Sequence, residues 1–217
     1  MELTGKKILF LGDSITEGHG ASDVSHCFVS LIAEKEKADC VNYGIGGTRI
    51  ARQSKPSENP VWDQDYLSRV DAMDKEADLV VVFGGTNDFG HGDAPLGTFE
   101  DRTEYSFYGA LHLLYTSLIE KYPSIPIVVL TPLHRLNEDN PRGDGYKEPT
   151  AELKVYVNII REVAEYYSLP VLDLYAVSGL QPKVPVLQET YMPDGLHPSD
   201  AGYEILAHKI TQFIKTL

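Results

Sequence analysis

Short apolar runs rich in β-branched residues alternate with longer amphipathic stretches along the whole chain. The apolar runs have the length of strands and fall at 7–11, 39–43, 78–83, 127–130 and 170–174. The amphipathic stretches have the length of helices and fall near 27–37, 62–73, 105–121, 151–167 and 201–214. Because a helix between two strands allows a right-handed crossover, this order predicts a doubly wound α/β domain whose five-stranded parallel sheet lies between two layers of helices.

Chain length and composition favour one compact domain. The chain has 217 residues, of which 42% are hydrophobic and 24% charged, the balance of an ordinary folded protein. A typical domain of about 150 residues leaves one or two domains open. No internal repeat, low-complexity tract or linker divides the sequence, so we expect a single domain over residues 1–217.

The charge of the chain narrows the range of partners and compartments. A formal net charge of −13 repels nucleic-acid phosphates and anionic lipid, so neither nucleic acid nor membrane is an expected partner. The N-terminal apolar run covers only residues 8–11, which is short for a signal segment, and the two cysteines form no C-x-x-C pair. We expect a cytoplasmic protein with reduced thiols; the sequence gives no indication of its oligomeric state.

Chemically capable residues follow the predicted strands. Ser14 comes after the first strand, a glycine-rich turn at 44–47 after the second, and Asn87 after the third. Asp194 and His197 lie in the long loop beyond the fifth. Parallel strands end at one edge of their sheet, where ligands of such folds bind, so these groups should meet. A hydroxyl, free backbone amides, a carboxamide and an Asp–His pair are the groups needed for acyl transfer through a serine nucleophile.

Three long connections should lie over the same edge. They span 89–104, 132–149 and 175–199, and each follows a predicted strand. Each exceeds about 12–15 residues, a length at which loops in compact domains are usually functional or mobile. We therefore expect them to surround the site.

Four short blocks carry a resemblance to a known family. They occur in the order Gly12-Asp13-Ser14, Gly47 in the glycine-rich turn, Gly85-Thr86-Asn87-Asp88 and Asp194-Gly195-Leu196-His197. In this order, at strand ends, they resemble the blocks of the SGNH hydrolases, the GDSL esterase and lipase superfamily, and the resemblance covers the whole chain. It implies a three-layer α/β/α, flavodoxin-like fold and a carboxylic-ester hydrolase that needs no cofactor and no metal.

The resemblance assigns roles to five residues. Ser14 is implied as the nucleophile, His197 as the base that takes its proton, and Asp194 as the carboxylate that orients the imidazole. The backbone N–H groups of Ser14 and Gly47 and the side chain of Asn87 are implied as the three oxyanion-hole donors. An imidazole, whose ordinary pKa is near 6.5, suits proton transfer close to neutrality.

Structural interpretations of the same residues stay open on the sequence alone. Ser14 could instead cap a helix, His197 could be a solvated surface residue, and Asn87 could cap a turn. Asp13 is better interpreted as a turn residue that shapes its loop, and Asp88 as a carboxylate that ties its block to its own loop.

Other kinds of site have little support. The chain contains no G-x-S-x-G elbow, no complete G-x-G-x-x-G, no phosphate-binding G-x-x-x-x-G-K-[ST] and no H-E-x-x-H. The acidic stretch at 137–144 does not match a calcium-binding loop register. Nucleotide, zinc and calcium sites are therefore not expected.

The expected substrate is a short-chain ester, in particular an acetyl ester of a carbohydrate or another small alcohol. No long apolar lid helix is evident, whereas the predicted rim loops carry polar residues. Residues that could line the pocket are Asp13, His91, His134, Trp62, Tyr105 and Tyr146, with core packing the alternative for Trp62 and Tyr105. Lysophospholipase, thioesterase and O-acyltransferase activities remain alternatives, and a non-catalytic carbohydrate-binding module is the alternative from another class.

Overall fold

The computed structural model describes residues 1–145 and 147–217, and a five-stranded sheet runs through its centre. The strands are β1 (Lys7–Gly12), β2 (Asp39–Gly44), β3 (Leu79–Phe83), β4 (Ile127–Leu130) and β5 (Val171–Leu172). Their order across the sheet is β2-β1-β3-β4-β5, and every neighbouring pair is parallel. This is the flavodoxin-like order of doubly wound sheets, so the predicted fold class is confirmed.

The helices connect the strands and cover both faces of the sheet. In the described part of the chain they are α1 (Ser14–Glu17), α2 (Phe28–Glu36), α3 (Tyr66–Val70), α4 (Thr86–His91), α5 (Phe107–Lys121), α6 (Leu153–Tyr166), α7 (Leu174–Val177), α8 (Pro185–Tyr191) and α9 (Asp200–Lys215). Two short 3-10 helices cover Val24–His26 and Pro60–Asp63.

Side-chain alternation along the strands divides the core into two halves. Leu9 and Leu11 of β1 point to the face covered by α3, α5 and α6, which we call the α5 face. Ile8 and Phe10 point to the face covered by α2 and α9, which we call the α9 face. Every residue of β3 is buried, as expected for a central strand covered on both sides. The sheet therefore holds the loops at its carboxyl edge on a packed support.

Two predicted elements are shorter than the sequence pattern indicates. The stretch at 62–73 forms a helix only over α3, because the Asp65 side chain accepts from the Ser68 N–H and begins the helix there. The fifth strand ends at Leu172, because the next residue, Asp173, caps α7. The other four predicted helices and the other four predicted strands agree with observed elements within two residues at each end.

No helix of the described chain, which leaves out only residue 146, is long and apolar enough to cross a membrane. Tyr146, one of the predicted pocket residues, lies outside the described residues.

Candidate active site

Ser14 is the first residue of α1, directly beyond the carboxyl end of β1. The cap of this short helix is Asp13, whose Oδ1 accepts from the Ile15 N–H at 3.0 Å. The alternative in which Ser14 itself caps the helix is therefore wrong. The Ser14 hydroxyl takes no part in capping and can bond to another partner.

Ser14, His197 and Asp194 form a continuous chain of hydrogen bonds. Ser14 Oγ lies 2.9 Å from His197 Nε2, and His197 Nδ1 lies 2.7 Å from Asp194 Oδ2. The other carboxylate oxygen of Asp194 accepts from the backbone N–H groups of Leu196 and His197 at 2.8 and 2.7 Å. The carboxylate is thus fixed by its own turn, and it fixes the imidazole against the serine.

Asp194 keeps its charge although it is partly buried. Burial raises its pKa, but the hydrogen bonds from the His197 ring and from two backbone N–H groups outweigh this effect and lower the pKa to about 2. The carboxylate is therefore ionised near neutral pH. It can accept the Nδ1 proton, which leaves the Nε2 lone pair directed at Ser14.

The glycine-rich turn is held beside α1. The Ile45 N–H donates to the carbonyl of Gly12 at 3.1 Å, and the Gly46 N–H donates to Glu17 Oε2 at 2.7 Å. Gly47 follows with φ +75, a conformation that side-chain-bearing residues rarely adopt. The turn thus brings the Gly47 backbone to the same edge as Ser14.

Asn87 lies in the first turn of α4, which begins after β3. Gly85 precedes this helix with φ +105, which allows the sharp turn from the strand. The Asn87 Nδ2 group donates to the Thr48 carbonyl at 3.0 Å, so this carboxamide is tied to the glycine-rich turn. A carboxamide has two N–H donors, and the second has no partner among the hydrogen bonds of the described residues.

Asp88 joins two loops, which corrects one prediction. Its carboxylate accepts from the backbone N–H groups of Ile50 and Ala51 at 3.0 and 2.9 Å. These residues belong to the loop after β2, whereas the sequence analysis expected a bond within the loop of Asp88 itself. Burial raises the pKa of Asp88. The structural role was predicted correctly, but its partner was not.

A buried arginine, Arg69 of α3, joins the ends of β1 and β2. Its Nη1 group donates to the Tyr43 carbonyl at 2.8 Å, and Nη2 donates to the Gly12 carbonyl at 3.1 Å and to Thr48 Oγ1 at 3.2 Å. The role of Arg69 was not predictable from the sequence, because an arginine in an amphipathic stretch is usually on the solvated face.

The predicted pocket residues have different environments. His91 accepts from the Arg49 guanidinium at 3.1 Å, and its ring centroid lies 5.1 Å from that of Trp62. Burial and then the charge of Arg49 lower the pKa of His91 to about 4, so its ring is neutral near pH 7. His134 instead pairs with Glu138 at 2.7 Å and packs at a tilt against Tyr175, with 3.9 Å between ring centroids.

Asp13 and Tyr105 differ from expectation in exposure. Asp13 is 2% exposed, so it offers almost no surface to a substrate, and burial raises its pKa to about 6. This corrects its inclusion among the pocket residues and agrees with the alternative of a loop-shaping role. Tyr105 is 49% exposed, so the core-packing interpretation is wrong for this residue.

His19 and Glu17 stand next to the Ser–His–Asp chain, and the sequence analysis missed both. The ring centroid of His19 lies 5.5 Å from that of His197, and His19 Nε2 lies 3.1 Å from Glu17 Oε2. The only available signal was their closeness to Ser14 in the chain: Glu17 ends α1, which starts at Ser14, and His19 follows two residues later. Within the described residues, no group of three or more His, Cys, Asp or Glu side chains is placed to hold a metal ion.

A family comparison agrees with this geometry. The family model described as "GDSL-like Lipase/Acylhydrolase family" matches residues 10–205, which include all four blocks. The chain belongs to this family. The predicted family resemblance is confirmed, and the chain is a hydrolase of carboxylic esters.

Solved structures share this fold over nearly the full chain. One with 34% sequence identity covers 100% of this chain and 99% of its own, with a TM-score of 0.86. A protein from Lactobacillus plantarum is 28% identical, with a TM-score of 0.84, and covers 99% of this chain and 98% of its own. A lipase/acylhydrolase from Enterococcus faecalis is 26% identical, with a TM-score of 0.68 and coverages of 97% and 96%. No curated protein matches the chain significantly.

Proposed function

We propose that this enzyme hydrolyses a short-chain carboxylic ester through a covalent acyl-Ser14 intermediate. The observation that carries the proposal is the chain of hydrogen bonds from Ser14 Oγ to His197 Nε2 (2.9 Å) and from His197 Nδ1 to Asp194 (2.7 Å). A serine hydroxyl is a weak nucleophile until an adjacent base accepts its proton, and this arrangement supplies the base and a group that orients it.

In the first half-reaction, Ser14 Oγ attacks the acyl carbon while its proton moves to His197 Nε2. The carbonyl oxygen gains a negative charge, and the N–H groups of Ser14 and Gly47 and the free N–H of Asn87 donate to it. The start of α1 adds a favourable field at Ser14. The tetrahedral intermediate then expels the alcohol, which takes the proton from His197, and the acyl group stays on Ser14.

In the second half-reaction, water replaces the alcohol. His197 Nε2 takes a proton from the water as its oxygen attacks the acyl carbon, and the same donors stabilise the second tetrahedral intermediate. Its collapse breaks the bond to Ser14 Oγ, which regains a proton from His197. The carboxylic acid leaves, and Asp194 stays ionised throughout as the partner of the imidazolium.

The proposed substrate is an acetyl ester of a carbohydrate or another small alcohol. The exposed groups next to the Ser–His–Asp chain are polar: His19 and Glu17 stand beside His197. Such groups can form hydrogen bonds with the hydroxyls of a polar alcohol, whereas a long acyl chain needs extended apolar surface.

A panel of esters tests the proposal. Purified protein is assayed with p-nitrophenyl acetate, butyrate and octanoate, and with an acetylated sugar whose released acetate is measured. We expect the acetate ester to have the highest kcat/KM and the sugar to be deacetylated. A preference for the octanoate ester would refute the short-chain substrate, and transfer of acetyl to an added alcohol in excess of hydrolysis would indicate an O-acyltransferase.

A further inference from the structure

Trp62 lies directly against the glycine-rich turn. A β-carbon placed on Gly47 would be 2.2 Å from Trp62 Cδ1 and 2.3 Å from its Nε1, so the indole ring packs flush on the Gly47 backbone. Part of the indole remains accessible to solvent. A large aromatic ring thus borders the backbone that is proposed to hold the oxyanion.

Arg49 and Asp63 hold the backbone that carries this ring. The Arg49 Nη2 group donates to the Trp62 carbonyl at 3.1 Å and to Asp63 Oδ1 at 2.9 Å. The guanidinium is buried, with 4% of the side chain exposed, so the contact is part of the packed structure. The Asn59 side chain caps the same turn through the Val61 N–H at 3.1 Å.

The ring also packs against α4, the helix that carries Asn87. His91, the last residue of α4, lies with its ring centroid 5.1 Å from that of Trp62, and its Nδ1 is bonded to Arg49. Asn87 is in the first turn of the same helix. The indole is therefore supported from the Gly47 side and from the α4 side, and it has little freedom to move away from a substrate.

The direction from which each residue enters the site indicates which part of the ester meets the indole. His197 comes just before α9, a helix of the α9 face, whereas Trp62 comes just before α3, a helix of the α5 face, and we infer from this that they approach Ser14 from different sides. The leaving alcohol must lie near His197 to take its proton, so the acyl substituent points away from that side. The oxyanion lies about 3 Å from the Gly47 nitrogen, which places that substituent within reach of the indole.

We propose that Trp62 forms the wall of the acyl subsite and limits the acyl group to a few carbons. This inference rests on the proposed function, because it takes Ser14 as the nucleophile and Gly47 as an oxyanion donor. It adds a specificity-determining residue and a physical reason for a short-chain preference: the fixed ring occupies the space into which a longer chain would extend.

Chain-length profiles of variants test the wall. For the wild type and for Trp62→Ala and Trp62→Phe, kcat/KM is measured with p-nitrophenyl acetate, butyrate and hexanoate. One methylene that no longer meets a pocket wall changes kcat/KM by about tenfold or more, so Trp62→Ala should raise the hexanoate-to-acetate ratio at least about tenfold. Trp62→Phe should give a smaller rise, and Tyr166→Ala, at an exposed residue ending α6 on the opposite edge of the sheet, should leave the ratio unchanged.

The tryptophan fluorescence of the wild-type protein provides a second measurement, which does not depend on the folding of a variant. Trp62 is the only tryptophan of the chain, so intrinsic fluorescence excited at the indole reports this position alone. Labelling with a p-nitrophenyl methylphosphonate places a small group at Ser14, next to the proposed wall. We expect the emission intensity or maximum to change as the label is added, with the extent of labelling followed by intact mass.

The outcomes separate this inference from the proposed function. Wild-type protein that neither hydrolyses the acetate ester nor accepts the label at Ser14 refutes both. Active wild-type protein with the same chain-length ratio as folded Trp62→Ala and Trp62→Phe refutes only the wall. Fully labelled protein with unchanged Trp62 emission also refutes the wall.

Discussion

Replacing Asp194 by Asn should prevent His197 from accepting the Ser14 proton, although the imidazole stays in place. Asp194 accepts three hydrogen bonds: one from His197 Nδ1 through Oδ2, and two from backbone N–H groups through Oδ1. Asn has nearly the same shape as Asp, but its side chain carries one oxygen and one NH₂ group. The positions of Oδ1 and Oδ2 therefore become chemically different.

The structure determines which way the new carboxamide turns. Its oxygen satisfies two backbone N–H groups if it takes the place of Oδ1, but only the imidazole if it takes the place of Oδ2. Each satisfied hydrogen bond contributes about 1 kcal/mol. An NH₂ group in the place of Oδ1 would face the two backbone N–H groups and leave both without an acceptor, which costs more. The carboxamide oxygen should therefore take the place of Oδ1. The NH₂ group then faces His197 Nδ1, which must accept, and the ring proton moves to Nε2.

In that tautomer Nε2 has no lone pair for the Ser14 proton. The wrong tautomer in a Ser–His–Asp arrangement lowers kcat by about 10⁴, which corresponds to about 5 kcal/mol of transition-state stabilisation. Because the pKa of Asp194 is about 2, the wild-type carboxylate is already ionised from pH 5 upwards, and we expect the deficit of Asp194→Asn to be present throughout pH 6–8.

The assay is kcat for p-nitrophenyl acetate between pH 6 and 8, with thermal unfolding recorded for each protein. Asp200→Asn is the matched control, since Asp200 is a nearby carboxylate that bonds to Ser22 and pairs with His26 rather than with His197. The control should stay within about threefold of wild-type kcat. Folded Asp194→Asn with kcat within tenfold of the wild type would refute the tautomer argument.

Three further predictions concern the loops around the site. Burial raises the pKa of Asp13 to about 6 from its ordinary value of 3.8, so the folded state binds this proton more tightly than the unfolded state does. The free energy of unfolding should therefore fall by about 2 kcal/mol as pH rises from 4 to 6, and urea titrations of Asp13→Asn should lack this decrease. Asp88→Ala leaves two buried N–H groups without an acceptor and should lower the free energy of unfolding by about 2–4 kcal/mol, with Asp88→Asn, which keeps one oxygen, losing less; equal losses in urea titrations would contradict the bonding scheme. Gly47→Ala places a β-carbon 2.2 Å from Trp62 at φ +75 and should lower both Tm and kcat, and Trp62→Ala in the same chain should restore part of the Tm; an unchanged Tm for Gly47→Ala would contradict the close packing.

The sequence predicted the sheet and the meeting of the main site residues well, for a simple geometric reason. Buried parallel strands are apolar along their length, so β3 and β4 were recognisable from composition alone. All strands of a parallel sheet end at one edge, so residues that follow different strands meet there. Ser14 and His197 are 183 positions apart in the chain, yet their side chains are 2.9 Å apart.

Hydrophobic periodicity could not predict the short helices at the site. α1 has four residues and α4 has six, which is too short for an amphipathic pattern to appear. α1 begins after Asp13 and α4 after Gly85, so Asp13, rather than Ser14, is the cap of α1. The local signal was present as a capping residue and a glycine, but only the fold shows which neighbour uses each.

Contacts made by long polar side chains were also unpredictable. Arg69 is buried and bonded to the ends of two strands, and Arg49 is buried and bonded to Trp62 and His91. Nothing in the sequence distinguishes such arginines from those on the surface, because their partners are backbone carbonyls and side chains that only the fold brings close. The position of Trp62 on Gly47 follows from these contacts and was missed for the same reason.

The covalent step at Ser14 is the central claim, and intact-mass spectrometry after phosphonate labelling tests it most directly. Wild-type protein treated with a p-nitrophenyl methylphosphonate should gain the mass of one phosphonyl group, with the adduct on Ser14, and lose esterase activity in proportion. Asn87→Ala should gain the same adduct more slowly, because it lacks one oxyanion donor. Ser14→Ala should gain none and should lose at least about 10³-fold in turnover. Ser14→Ala protein that is labelled stoichiometrically at another residue and keeps its esterase activity would contradict the account.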